Sequence, residues 1–283
     1  MAFLPIPLIK MSGAGNTFVL VDATKTSTWL DIESRLRIKR IPFVKMICDR
    51  TLGVSADGVL FLQDGGDGAD YSWDFYNADG SAADMCGNAA RCAALFANEY
   101  LSSALTGTYK FKTGAGLVTT QVLGDERVRV LMPPVKDYQE FKHLEIDGHP
   151  HTFSYVNSGV PHLVMQLSNY KHAADLKEVA RKARHHKDLL PDGANVTFYV
   201  KEKDALIKAV TFERGVEDYT QACGTGAVAA AYVEFMKSKV RNLDVHMPGG
   251  ILVVQFPEGG TQPLMTGEAV FVMEFQYFYE VVR

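Results

Sequence analysis

The sequence predicts an α+β protein in which a sheet curls around a central helix, built as two related halves. Three observations lead there. Strand-like runs outnumber helical patterns, two Ala-rich segments read as helices apolar on nearly every side, and the halves share residue matches at one offset.

The strand-like runs are TFVLVD (17–22), GVLFL (58–62), YSWDFY (71–76), TYKFK (108–112), RVRVLM (127–132), VTFYV (196–200), ILVVQF (251–256) and AVFVMEFQYFY (269–279). They are rich in Val, Thr, Phe and Tyr and are broken by Gly, Asp and Pro. The cluster DGGDGAD (64–70) reads as a surface turn. Helical patterns are fewer: a segment around 32–49, GNAARCAALFANEY (87–100), LKEVARKARHH (176–186) and GTGAVAAAYVEFMK (224–237). Through their first turns the second and fourth are almost wholly small and apolar, with Arg91 the main exception. Such helices belong inside a protein. A sheet curled around each would bury them and would also account for the excess of strands.

The halves repeat. Phe75 and Phe212, Cys86 and Cys223, Gly87 and Gly224, Val59 and Val196, and Phe61 and Phe198 are each 137 residues apart. An earlier pair of blocks, SGAGNTFVLV (12–21) and SGVPHLVMQL (158–167), aligns at 146, which requires a nine-residue indel between blocks. A duplicated pair of domains would turn equivalent loops toward each other across a cleft.

Composition narrows the function. The chain has 283 residues, enough for two domains, with 47% hydrophobic and 22% charged residues, an ordinary globular balance. A net charge of −4 gives no electrostatic reason to hold nucleic acid or an anionic membrane surface. No apolar run reaches the ~18 residues of a membrane span, and MAFLPIPLIKMSGAGN lacks the pattern of a secretory signal. Four cysteines cannot form a disulfide framework in a chain of this size. A cytoplasmic protein with reduced thiols is expected.

The sharpest local feature is DMCGNAARCAA (84–94) beside QACGTGAVAAA (221–231). In each, a Cys and a Gly precede a buried helix, so the sulfur falls where unpaired N–H groups and the helix dipole favour an anion. Such a thiol is acidified and the same N–H groups can hold a carboxylate. Cys48 and Cys92 lack this setting and read as core. Inverting a stereocentre beside a carboxylate needs one group to take a proton from one face and another to return one to the opposite face. Two thiols suit both roles, and the helix-start N–H groups would stabilise the carbanion-like intermediate. Other constellations are weaker. There is no CxxC, HExxH or GxGxxG after a strand, so neither zinc nor a dinucleotide is expected. A thiol hydrolase pairing one cysteine with His162 leaves the second cysteine unexplained, and a pyridoxal-phosphate lysine is unnecessary given two thiols. A non-catalytic small-molecule binding protein remains a further reading.

At these residues the sequence resembles the diaminopimelate epimerase family of cofactor-independent enzymes in lysine and peptidoglycan-precursor synthesis. The matching blocks are MSGAGNTFVLVD (11–22), DRTLGVSADGVLFL (49–62), FYNADGSAADMCGNAARCAA (75–94), NSGVPHLV (157–164), GANVTF (193–198) and FERGVEDYTQACGTGAVAAA (212–231). The resemblance implies two pseudo-symmetric domains, each a curled, mostly antiparallel sheet around a central helix, with the active site in the cleft between them. It divides the chain into 1–118 plus 265–283 and 119–264. It makes Cys86 and Cys223 the catalytic pair, and Gly87, Asn88, Gly224 and Thr225 the holders of the reacting carboxylate. It assigns substrate contacts to Asn16, Asn77, Asn195, Glu213 and Arg214, with Glu213 available to an ammonium and Arg214 to a distal carboxylate, and it sets His162 beside the site. It implies a small amino-acid substrate, no cofactor, no metal and a homodimer. Three positions depart from the family pattern: Val160 where many members have Asn, Gly58 where some have Gln, and Ser55 for a usual Gly. A related two-cysteine racemase acting on histidine or a proline derivative is the nearest alternative.

Overall fold

The computed structural model describes residues 2–102, 107–259 and 262–281. The chain divides into two compact units, Met1–Val130 with Glu268–Arg283, and Leu131–Gly267.

The first unit contains β1 (Ala2–Gly13), β2 (Asn16–Asp22), α1 (Thr28–Leu36), α2 (Arg40–Cys48), β3 (Gly58–Asp64), β4 (Tyr71–Asn77), α3 (Gly87–Phe96), β5 (Thr108–Thr113), β6 (Gly116–Gly124) and β7 (Arg127–Leu131). The chain's last strand, Val270–Val281, returns to pair antiparallel with β1. From β1 the ladder runs antiparallel to β2, parallel to β3, antiparallel to β4, parallel to β5, then antiparallel to β6 and β7. The second unit contains β8 (Lys136–Ile146), β9 (His149–Asn157), β10 (Pro161–Gln166), α4 (His172–Asp175), α5 (Lys177–Arg184), β11 (Asn195–Lys203), β12 (Leu206–Glu213), β13 (Asp218–Tyr219), α6 (Gly224–Ser238), β14 (Asn242–Met247), β15 (Gly250–Gln255) and β16 (Leu264–Glu268). From β9 its ladder runs antiparallel to β10, parallel to β11, antiparallel to β12, parallel to β14, then antiparallel to β15 and β16. The order of pairings is the same in both units, with β8 on β9 where the last strand lies on β1.

In each unit an Ala-rich helix lies against several strands: α3 packs on β1, β2, β3 and β6, and α6 on β9, β10, β11, β12, β14 and β15. All ten residues of α3 are buried. Alanine costs little side-chain entropy in a helix and lets strands approach closely on all sides. The opposite face of each sheet carries a second core. In the first unit Val59 and Phe61 meet Trp29, Ile32, Phe43, Val44 and Ile47 from α1 and α2. In the second, Val196, Phe198 and Phe212 meet Ala180 and Ala183 from α5.

The ladders refine the repeat. Phe18 pairs with Gly58, and His162 with Asn195. Gly58 and Asn195 are 137 apart, so Phe18 corresponds to His162 at an offset of 144, and the first block shifts by two from the expected 146. An even shift keeps every side chain on its face, which is why the apolar pattern tolerated the wrong offset. The pair Phe75 and Phe212 is coincidental. Phe75 pairs with Leu60 while Tyr76 pairs with Val59, whereas Phe212 pairs with Val196, so Tyr76 is the true counterpart of Phe212 and Phe75 faces the other way. The unit boundary, expected at 118/119, falls at 130/131, because β6 and β7 continue the first ladder beyond β5. The helical segment expected over 32–49 is two helices broken after Leu36, where Arg37 turns left-handed at φ 51°.

Candidate active site

The two helix-start cysteines hold equivalent positions. Cys86 is the extended residue that precedes α3, at φ −143° and ψ 127°, and Cys223 precedes α6 at φ −121° and ψ 112°. Gly87 and Gly224 are the first helical residues and both are buried. The first turn of each helix therefore presents backbone donors beside a sulfur. Glycine allows the crowding at both places. A Cβ on Gly13, the last residue of β1, would lie 2.8 Å from the Asn88 carbonyl oxygen, and one on Gly226 would lie 2.1 Å from Thr211 Oγ1. Cys48 and Cys92 are buried, and desolvation pushes both thiols up to about 12, so they are inert core groups, as expected.

In the first unit the groups around α3 form a chain of amides. Arg91 Nη2 donates to Asn88 Oδ1 at 2.9 Å, and Asn88 Nδ2 donates to Asn16 Oδ1 at 2.7 Å. Arg91 is fully buried and also donates to the carbonyls of Gly87 and Glu268. Asn77 is exposed at the end of β4, and its Nδ2 donates to Ser81 Oγ at 3.0 Å within a tight turn.

In the second unit six expected residues come together. Cys223 Sγ accepts from Gly226 N at 3.4 Å and lies 3.4 Å from Thr225 Oγ1. Thr225 Oγ1 is 3.0 Å from His162 Nε2. Asn195 accepts at Oδ1 from the Arg214 backbone N–H at 2.7 Å and turns Nδ2 toward His162 Nε2 at 3.3 Å. His162 is fully buried, with Nδ1 3.0 Å from Thr197 Oγ1; burial, reinforced by the Arg214 charge, pushes it down to about 3. It is a neutral, oriented imidazole. Glu213 is half-buried, its carboxylate beside the Cys223 thiol and the Thr220 hydroxyl, and burial raises it above the ordinary carboxylate range. Arg214 is exposed, and its Nη1 reaches the Asp192 carbonyl at 3.4 Å.

Sequence reasoning passed over Arg91, Thr197 and Ser158, whose Oγ donates to the Thr225 carbonyl at 2.8 Å. The signal for Arg91 was present, as one charged residue in an otherwise apolar helix. The threonine and serine carry none. Among the described residues there is no group of His, Cys, Asp and Glu able to hold a metal ion, and no helix long and apolar enough to cross a membrane.

Comparison with known proteins agrees with this architecture. A hydroxyproline epimerase from Agrobacterium vitis superposes with a TM-score of 0.68 at 17% identity, covering 100% of this chain and 94% of that one. A PhzC/PhzF protein from Clostridium difficile gives 0.64 at 13% identity, covering 96% and 98%. The fold is thus the duplicated α+β scaffold that those proteins share. Sequence gives the particular family. The diaminopimelate epimerase family model matches residues 8–137 and 154–272. Diaminopimelate epimerase from Aquifex aeolicus is 35% identical over 97% of this chain and 98% of its own length. The enzyme from Hydrogenobaculum is 37% identical over 78% and 80%. The chain belongs to the diaminopimelate epimerase family and is an isomerase.

Proposed function

We propose that the protein interconverts LL- and meso-diaminopimelate without a cofactor, with Cys86 and Cys223 as its two acid/base groups. One observation carries the reading: strand-for-strand equivalent units each open their buried central helix with an extended Cys followed by Gly. One thiolate takes the α-proton from one face of the carbon and the opposite thiol returns a proton to the other. Helix-start N–H groups at Gly87, Asn88, Gly224 and Thr225 hold the reacting carboxylate and stabilise charge that spreads onto it. Glu213 exchanges a proton with Cys223, which its raised carboxyl suits. His162, neutral and held by Thr197 and Asn195, keeps Thr225 in place. Asn16, Asn77, Asn195 and Arg214 serve the substrate, Arg214 at the distal carboxylate. Of these, Asn195 acts through the Arg214 backbone, since its own amide is already engaged.

A cytoplasmic homodimer acting in lysine and peptidoglycan-precursor synthesis completes the proposal; light scattering tests the dimer. The test of the chemistry is incubation with LL-diaminopimelate in heavy water. Deuterium should enter the α-carbon as the meso isomer forms, and Cys86→Ala and Cys223→Ala should each abolish the interconversion. Full activity in either variant overturns the two-thiol reading. Val160 favours one alternative, a racemase of the same chemistry with a different amino acid. Parallel incubations with histidine and hydroxyproline decide between them.

A further inference from the structure

We propose that Arg91 is a positioning residue that fixes which atom of Asn16 faces the ligand, and so commits that position to a carboxylate oxygen rather than an ammonium. A guanidinium has donors only. The bond from Arg91 Nη2 therefore makes Asn88 Oδ1 the acceptor, which leaves Asn88 Nδ2 as the donor to Asn16 Oδ1. With its oxygen engaged, Asn16, which is only partly buried, has its NH2 group left to offer. The orientation of two amides follows from one buried cation.

Arg91 is suited to this and to little else. It is fully buried, and among the described residues its hydrogen bonds go to two carbonyls and one amide oxygen and none to a carboxylate. Burying a guanidinium without direct ion pairing is costly. The second unit dispenses with the arrangement at all three positions: Arg91 corresponds to Val228 and Asn88 to Thr225 at the helix offset, and Asn16 to Val160 at the ladder offset. There Thr225 turns to His162 instead. Because Val160 offers no polar atom, the amide of Asn16 has no counterpart in the second unit, and its orientation carries more of the recognition.

The inference rests on Asn16 contacting substrate, as proposed above, and the experiment separates the two. In Asn88→Asp the carboxylate pairs with Arg91, so the pair is neutral, but it can no longer donate. Asn16 must then turn its NH2 inward and its oxygen outward. KM for LL-diaminopimelate should rise about ten-fold or more with kcat changed far less, since a donor to a carboxylate has become an opposing acceptor. Asn88→Ala, which adds no charge, should give a smaller rise in KM. The side-chain amide resonances of Asn16 should shift on adding LL-diaminopimelate to the wild type. If they shift and Asn88→Asp keeps the wild-type KM, the relay is wrong. If they do not shift, Asn16 is not a substrate contact and that part of the functional reading fails first. Should Asn88→Asp not fold, Asn16→Asp keeps the inner bond to Asn88 and changes only the outward atom; a wild-type KM there also overturns the proposal.

Discussion

The Glu213 carboxylate lies beside the Cys223 thiol, and burial raises its pKa above the ordinary carboxylate range. A carboxylate next to a sulfur disfavours a second negative charge there, but a raised carboxyl is better matched to receive the thiol's proton. Glu213→Gln keeps the shape and removes the exchange. Its kcat should fall by about 100-fold, within the usual range for losing a positioned acid/base group, while the thermal midpoint stays close to wild type. Steady-state kinetics on LL-diaminopimelate with a parallel melt checks both, and an unchanged kcat would leave Glu213 a structural neighbour only.

Arg214 has its backbone N–H held by Asn195 while its side chain is exposed. A planar guanidinium binds a carboxylate bidentately and a thioether cannot. Arg214→Met should lower kcat/KM on diaminopimelate about ten- to hundred-fold, the equivalent of one charge-assisted contact, with no loss of stability because its one side-chain bond, to the Asp192 carbonyl, is long and exposed. Wild-type kcat/KM in this variant would mean that the distal carboxylate is recognised elsewhere.

What could be read from the sequence follows from how local each signal is. The cysteine caps were legible because Cys-Gly followed by Ala-rich, apolar sequence specifies a helix start and its burial within a few residues. The strands at 58–62 and 196–200 were legible because both of their faces are buried. The hairpin of β8 and β9 was not. Most of β8 is exposed, and its run KDYQEFKHLEI mixes Lys, Glu and Asp with few apolar residues, so its strand state comes from pairing with β9 and not from its own pattern. The placement of Glu213 was equally hidden. It stands ten residues before Cys223, and only the packing of α6 against β12 decides that the carboxylate meets a sulfur.

Ser55 occupies a left-handed conformation at φ 55°, which explains why glycine is the usual residue there. An L side chain in this region costs roughly 1–2 kcal/mol, and glycine returns part of the gain as unfolded-state entropy. Ser55→Gly should therefore stabilise the protein by about 0.5–1 kcal/mol, because among the described residues the exposed Ser55 side chain makes no bond of its own; the bonds here are from the backbone N–H to Asp49 O and from Lys10 Nζ to the backbone oxygen. Chemical denaturation reads the change directly. A destabilised glycine variant would show that the loop relies on the serine.

His162 gives the enzyme an acid-sensitive core. Asn195 has its oxygen committed to the Arg214 N–H, so it points a donor at His162 Nε2, and Nδ1 must carry the ring proton and donate to Thr197 Oγ1. A second proton on Nε2 would face that amide donor inside a fully buried pocket, with the Arg214 charge nearby, and burial is the larger reason that the folded pKa drops to about 3. The unfolded chain takes up the proton near the ordinary value of 6.5 while the folded protein does not. Stability is therefore complete above that pH and is lost as pH falls toward the folded value, by about 1.4 kcal/mol per pH unit from this one group. Other titrating groups contribute as well, so the informative quantity is a difference. Urea unfolding of the wild type and His162→Gln at pH 7, 6 and 5 should show the wild type more stable at pH 7 and its advantage shrinking by that slope below pH 6.5. Parallel pH dependences would mean that the imidazole titrates normally and that the Asn195 amide faces it the other way round.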